Sequence, residues 1–167
     1  VFQLSVDPGL NSGVALGFYD ATTPYQLIKR YQVHDGLEGF VSWMHTPAAP
    51  YEVNEAVVER FVSVRNDFAP DITGIPIEGV IRLWAWEDKF PVYWQTRMDK
   101  SALVGYPAGA ITKAERQRVR FDFLKKHDLF APGTENDDSN DAICHGLISL
   151  KRRKHMPTLK KYWAPKA

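Results

Sequence analysis

A mixed α/β domain is predicted by two patterns in the sequence. Three short strands joined by tight turns come first, and strands then alternate with amphipathic helices. Phe2, Leu4 and Val6 alternate with Gln3, Ser5 and Asp7, the period-2 signature of a strand. Pro8-Gly9 ends it, because proline lacks a donor and glycine tolerates a tight turn. Residues 14–18 and 26–33 read as the second and third strands of an antiparallel meander. A helix is expected from about Asp35, with Leu37, Phe40, Val41 and Met44 on one stripe, ended by Pro47 and Pro50. Ala56-Val57-Val58-Glu59 is the short apolar run of a central strand covered on both faces. The span from about Ile72 to Trp86 is helical in pattern despite Gly74, Pro76 and Gly79. Residues 92–95 then supply a fifth strand. Thr112 to Glu115 is a capping box that opens a basic helix reaching about Lys126. The last helix starts near Asp138, with Ile143, Gly146, Leu147 and Leu150 on one face. The resulting order is βββαβαβαα.

A chain of 167 residues suits one domain, and its 44% apolar and 25% charged content is that of a soluble globular protein. The single cysteine, Cys144, excludes an internal disulfide, no Cys/His cluster has zinc spacing, and the usage fits a reducing cytosolic compartment. No apolar stretch approaches the roughly 20 residues that span a bilayer, so no membrane partner is expected.

Charge is unevenly spread. Seven of the 21 lysines and arginines lie in residues 151–167, which carry no acid; the first 150 residues keep 14 against 20 acids. The expected organisation is a body over 1–150 and a basic C-terminal tail over 151–167. Such a tail is either a solvated terminus or a phosphate-binding arm.

Four acids stand out by position. Asp7 closes the first strand and Glu59 the central one, and neighbouring strands lie about 4.8 Å apart. Asp138 and Asp141 are three apart on one side of a helix. Adjacent carboxylates repel unless a cation intervenes, and hard Mg²⁺ or Mn²⁺ prefers oxygen. Two such ions about 3.5–4 Å apart can activate water and stabilise a leaving oxygen in phosphodiester cleavage. Each acid also has a plainer use: Asp7 in a turn, Glu59 paired with Arg60 or Arg65, and Asp138 or Asp137 as a helix cap. It is the set that points to a site.

Taken in order, the segments Leu4-Ser-Val-Asp7-Pro-Gly9-Leu-Asn-Ser-Gly13, Val57-Val-Glu59 running on to Arg65-Asn66, and Asp138-Ser-Asn-Asp141-Ala142 resemble the RuvC family of Holliday-junction resolvases. The resemblance spans most of residues 4–150. It implies an RNase H-like fold, a central five-stranded mixed sheet with helices on both faces. It makes Asp7, Glu59, Asp138 and Asp141 the ligands of two Mg²⁺ ions, with Mn²⁺ able to substitute. It also implies branched DNA as substrate and a homodimer as the working form. The family often has an aromatic residue three positions beyond the glutamate, where this chain has Val62; Phe61 and Phe68 are the nearby candidates for contact with the junction. Lys100, Lys113 and Arg116 compete for the family's phosphate-contacting lysines. Lys151, Arg152, Arg153 and Lys154 of the tail join Arg65 and Asn66 as further DNA-binding candidates. These departures, with the short length, imply a phage or otherwise divergent member.

The basic helix, with Lys113, Arg116, Arg118, Arg120, Lys125 and Lys126, is either a solvated face or a DNA contact. Trp84, Trp86, Trp94 and Tyr106 are core aromatics or base-stacking platforms. His127, His145 and Cys144 are expected to be structural. Three functions follow as expectations: a junction-resolving endonuclease, a flap, fork or hybrid nuclease, and a catalytically silent DNA-binding module.

Overall fold

The computed structural model describes residues 1–50, 52–61, 72–105, 112–134 and 138–164. Five strands form one sheet: β1 (Phe2–Asp7), β2 (Ser12–Phe18), β3 (Gln26–Val33), β4 (Glu55–Glu59) and β5 (Val92–Gln95), in the spatial order β3-β2-β1-β4-β5. The first three pair antiparallel, as their short connections require, while β4 and β5 run parallel to β1. All five match the strands expected from the sequence.

Helices cover both faces, and the period-2 alternation of the strands decides which side chain meets which helix. Leu4, Val6, Val14, Ala56 and Val58 point to α1 (Gly36–Met44) and α2 (Gly74–Asp88), packing on Phe40, Trp43, Ile77 and Ile81. Pro76 is tolerated inside α2 because it lies in the first turn, where backbone N–H groups have no partner within the helix. The opposite face carries α3 (Lys113–Lys126), α4 (Ser139–Arg152) and α5 (Met156–Trp163) over Ala15, Tyr25, Ile143, Leu147 and Ile148. The capping box of α3 is formed: the Glu115 amide donates to Thr112 Oγ1 at 3.2 Å, and the Thr112 amide to Glu115 Oε2 at 2.6 Å.

Two glycines let α4 lie directly on the sheet. A Cβ at Gly146 would come within 2.6 Å of Ser5 Oγ, and one at Gly13 within 2.0 Å of the Asp138 carbonyl oxygen. At Gly13 the obstacle is the α4 backbone and only hydrogen fits, while at Gly146 a Cβ would have to displace the buried Ser5 and Gln3 side chains.

Residues 151–167, expected as a basic tail, are built into the domain as far as the described residues run. The expected boundary at 150 falls inside α4, which continues to Arg152. Lys151 Nζ donates to the carbonyls of Ala102 and Leu103 at 2.6 and 3.2 Å. Arg152 pairs with Asp99 at 2.6 Å and Arg153 with the buried Glu55 at 2.5 Å. The following turn allows α5 to dock Tyr162 into the core, only 4% exposed, with Trp163 Nε1 donating to the Leu103 carbonyl at 2.7 Å. The sequence pattern hid this helix because its apolar face is short and its exposed face is lysine-rich.

Removing Tyr162 therefore deletes core. Tyr162→Ala should lower stability by about 3 kcal/mol or more, the usual cost of truncating a buried aromatic side chain. Chemical denaturation checks this, and an unchanged midpoint would mean that α5 is peripheral.

Candidate functional site

Asp7 and Glu59 end adjacent parallel strands whose preceding residues, Val6 and Val58, are register partners. Alternation sends both carboxylates to the α4 face. Asp141, in the first turn of α4, and His145, one turn later, project back at them. A short 3₁₀ helix over Arg97–Ala102, following β5, carries Lys100 into the same space. Its start is held by Thr96 and Asp99, which cap each other reciprocally.

Lys100 Nζ sits 3.0 Å from Asp7 Oδ2, 2.8 Å from Glu59 Oε2 and 2.8 Å from Asp141 Oδ2. One buried ammonium thus gathers three carboxylates from three separate elements. Arg120 of α3 adds a second cation to Asp141, 3.1 Å from its Oδ1. On the other flank His145, fully buried, places Nε2 2.8 Å from Glu59 Oε2.

Gln95, which faces Glu59 across the β4–β5 ladder, clamps that histidine. Its Nε2 donates to the His145 backbone carbonyl at 3.1 Å, and its Oε1 lies 2.8 Å from Nδ1. A carbonyl can only accept, so the amide has one sensible orientation and Nδ1 must carry a proton. Nε2 is thereby aimed at Glu59. Because Nδ1 already carries a proton, Nε2 donates to the Glu59 carboxylate only in the imidazolium form, which Glu59 favours, while burial, the larger influence, opposes it and pushes the imidazole below its ordinary pKa.

Protons are shared unequally among the three carboxylates. Burial favours the neutral form of each. For Glu59 that tendency is outweighed by the His145 hydrogen bond and by Lys100, which hold it down to about 2. Asp141 is likewise lowered, with Lys100 and Arg120 outweighing burial. Among the described residues Asp7 has Lys100 as its cationic neighbour but no second donor of the kind that supports the other two. Burial first, and then the charges of Glu59 and Asp141, raise it to about 8.

Asp138 lies at the N-cap position of α4, its backbone pressed on Gly13, the register partner of Asp7. Its Oδ2 accepts from Gln32 Nε2 of β3 at 2.8 Å. The structure thus gathers Asp7, Glu59 and Asp141 on Lys100 and leaves Asp138 beside them, turned toward β3. Asp137 lies outside the described residues.

The donor set suits a hard divalent cation. Three carboxylates already surround one positive charge, and no two of the oxygens nearest Lys100 can be more than about 6 Å apart. As the side chains stand, no group of three acids, histidines or cysteines among the described residues is close enough to hold an ion directly. The spacing is set by the ammonium. Mg–O contacts of about 2.1 Å would require the carboxylates to close in and Lys100 to withdraw.

The DNA-binding candidates separate in space. Lys100 belongs to the carboxylate cluster, and Lys151, Arg152 and Arg153 are engaged within the domain as described above. Lys113 and Arg116 are exposed in the first turn of α3, and Lys154 is exposed in the turn before α5. Phe61 is half-buried just past β4, its amide donating to Glu78 Oε1 at 2.6 Å. Arg65, Asn66 and Phe68 lie outside the described residues, as does Tyr106. Trp84 donates to Asp88, Trp94 packs beneath Arg82, and Trp86 is exposed.

Sequence reasoning missed Gln95, counted Arg120 only among the cations of the basic helix, and read His145 as structural. The four-residue spacing from Asp141 could have flagged His145. Nothing local marks Gln95 or the pairing of Arg120 with Asp141.

No protein-family model matches the chain, and no curated protein resembles it in sequence. Solved structures do resemble it. RuvC of T. thermophilus in complex with a Holliday junction substrate superposes with a TM-score of 0.64 at 13% identity, over 94% of this chain and 98% of that one. The fowlpox virus Holliday junction resolvase gives 0.63 at 18% identity, over 91% and 99%. That resolvase in complex with its junction DNA gives 0.64 at 17%, over 92% and 99%. The fold expected from the sequence is therefore the one observed, the RNase H-like fold of RuvC-type resolvases.

Two measurements on metal-free protein probe the cluster. A raised Asp7 binds a proton in the folded state that the unfolded chain, with its pKa near 3.8, releases. That group stabilises at low pH and loses its contribution as pH rises from about 4 to about 8. Asp7→Asn should thus be more thermostable than wild type at pH 8, with the gap closing toward pH 4; a pH-independent difference would mean Asp7 is not strained. Lys100→Met leaves three buried carboxylates without their shared cation, so its melting temperature should fall by several degrees. Added Mg²⁺ should restore more stability to this variant than to wild type, and an equal metal effect in both would show that the ammonium does not compete.

Proposed function

We propose that this protein is a divalent-metal-dependent endonuclease that cuts branched DNA, resolving four-way junctions by paired nicks as a homodimer. The observation that carries the reading is the convergence of Asp7, Glu59 and Asp141 on one buried cation. It is supported by the fold, shared with a RuvC and a fowlpox resolvase whose structures contain Holliday junctions.

Asp7, Glu59 and Asp141 would hold the metal, Mg²⁺ or in its place Mn²⁺, with Asp138 the fourth candidate at the edge of the cluster. When bound in a pair, such ions supply an activated water and charge stabilisation at the leaving oxygen. The chain's own residues prepare that chemistry. Lys100 keeps the carboxylates assembled, Arg120 anchors Asp141, and the Gln95–His145 clamp fixes the direction of Glu59. The exposed cations Lys113 and Arg116 offer contacts to the phosphate backbone, where binding releases counterions.

The test is a Mg²⁺-dependent nicking assay on an immobile four-way junction with strand mapping, run beside a flap and an RNA–DNA hybrid. Symmetric nicks in the junction are expected, and preferential cutting of the flap or hybrid would replace the substrate assignment. Asp7→Asn should reduce cleavage by at least about 100-fold, because the metal site loses a charge. Junction binding should persist or tighten, since a negative charge near the phosphate is gone. Nicking at the wild-type rate would remove Asp7 from the site.

A further inference from the structure

The 3₁₀ helix over Arg97–Ala102 delivers Lys100 to the carboxylates, and it carries two further side chains that the cluster does not use. Runs of this geometry longer than three or four residues are uncommon, because their hydrogen bonds are poor. This one has six residues and is fastened at both ends. Thr96 and Asp99 cap its start, and Arg152 pairs with Asp99 at 2.6 Å. At its far end Lys151 Nζ meets the Ala102 and Leu103 carbonyls, and Trp163 Nε1 donates to the Leu103 carbonyl. So short an element with so many outside supports is a rigid platform.

Side chains three apart on a 3₁₀ helix eclipse one another, about 6 Å apart along the axis. Arg97 therefore shares the face of Lys100, one turn earlier. Lys100 is buried, whereas Arg97 is exposed and has no hydrogen bond or ion pair among the described residues. Lys100 is shared by three carboxylates and Arg120 is paired with Asp141, so both cations of the cluster are committed to acids. A phosphate drawn up to the cluster meets those carboxylates, and only a cation not already neutralised offsets their repulsion. Arg97 is such a cation, carried by the same frame as the site. Its planar guanidinium also suits phosphate, which it can hold through two parallel N–H donors.

Met98 takes the next position round the helix. At 75% exposure it is the most exposed large apolar side chain among the described residues. Its carbonyl accepts from Ser101 Oγ at 2.8 Å, so the backbone beneath it is pinned while the thioether projects into solvent. Methionine is unbranched and polarizable, and it adapts to irregular apolar surfaces. A DNA strand offers such a surface beside each phosphate, in the sugar and the face of its base. Apolar side chains of this kind insert beside bases where DNA is bent or opened.

We infer that Arg97 and Met98 form a strand-holding subsite at the rim of the cluster. Arg97 binds a phosphate flanking the scissile one, and Met98 packs against the adjoining sugar and base. The step from Lys100 to Arg97 is a single turn, so this phosphate lies within two nucleotides of the cut. The subsite rests on the nuclease reading of the cluster, but its readout is affinity, so the two fail separately. A protein that binds the junction through this contact and never nicks it would keep the subsite and lose the nuclease reading.

Affinity for an immobile four-way junction is measured in metal-free buffer, with a neutral methylphosphonate replacing one phosphate at a time along each strand. In the wild type one neutralised position, within two nucleotides of the mapped nick, should weaken binding several-fold. Arg97→Gln should weaken binding of the unmodified junction by a similar factor and reduce the slope of log affinity against log salt by about 1. The two changes together should lose little more than either alone, since they remove opposite halves of one contact. Arg97→Lys, which keeps the charge, should retain part of this coupling. Met98→Ser should weaken binding with the salt slope unchanged and the same phosphate still required. Both side chains are exposed, so all three variants should melt like the wild type. Losses that add at every neutralised position, Arg97→Gln binding as tightly as wild type, or Met98→Ser with wild-type affinity would each overturn the assignment.

Discussion

Three carboxylates from β1, β4 and α4 meet at the ammonium of Lys100, and the surrounding architecture can be understood as what that meeting requires. Like charges cannot be gathered in a water-poor space without a partner of opposite sign. The lysine supplies that partner, and its own pKa is raised because the three carboxylates outweigh the burial that would lower it. Its position depends in turn on a capped 3₁₀ helix, and that helix on Arg152 of α4, which pairs with the capping Asp99. The acids depend on the sheet: parallel pairing of β1 with β4 sets two strand ends side by side, and alternation turns both toward one helix. The approach of that helix rests on Gly13, where a larger residue would meet the backbone at the start of α4, and on Gly146, where one would displace the Ser5 and Gln3 side chains.

Around this centre the protein distributes its secondary contacts unevenly. Glu59 has His145 and Asp141 has Arg120, while Asp7 relies on the shared lysine. The result is a cluster in which two carboxylates are firmly ionised and the third is poised near neutrality. Neighbouring buried acids split in this way because like charges held close together cannot all ionise, and the least supported carboxylate keeps its proton longest.

Part of the charge asymmetry of the sequence has an internal explanation. The basic residues at the end of α4 neutralise acids of the body: Arg152 meets Asp99, and Arg153 lies between Glu55 and the rings of Tyr19 and Tyr93. Lys151 caps carbonyls left at the end of the 3₁₀ helix. What reads as a detached arm is the clasp that closes the α4 face: it engages Lys151, Arg152 and Arg153 within the domain, while Lys113, Arg116 and Lys154 are exposed on the surface.

Strand alternation, the apolar run at β4, the capping box of α3 and the helical stripes are local patterns, and they specified all five strands and four of the five α-helices. The acidic residues that end β1 and β4 and open α4 were legible for the same reason, since their positions follow from element boundaries. The partners of those acids were not. Lys100 reads as a phosphate-contacting lysine, His145 as a core histidine and Gln95 as an ordinary strand residue until the sheet order places β5 beside β4 and α4 across both. Asp138 was read with Asp141 from their shared helix side, yet its carboxylate turns to Gln32 of β3, a neighbour 106 positions away. Periodicity encodes which face a side chain takes, because backbone geometry repeats locally. Which charges then neutralise one another is decided by contacts between distant segments, and only the packed chain brings those within hydrogen-bonding distance.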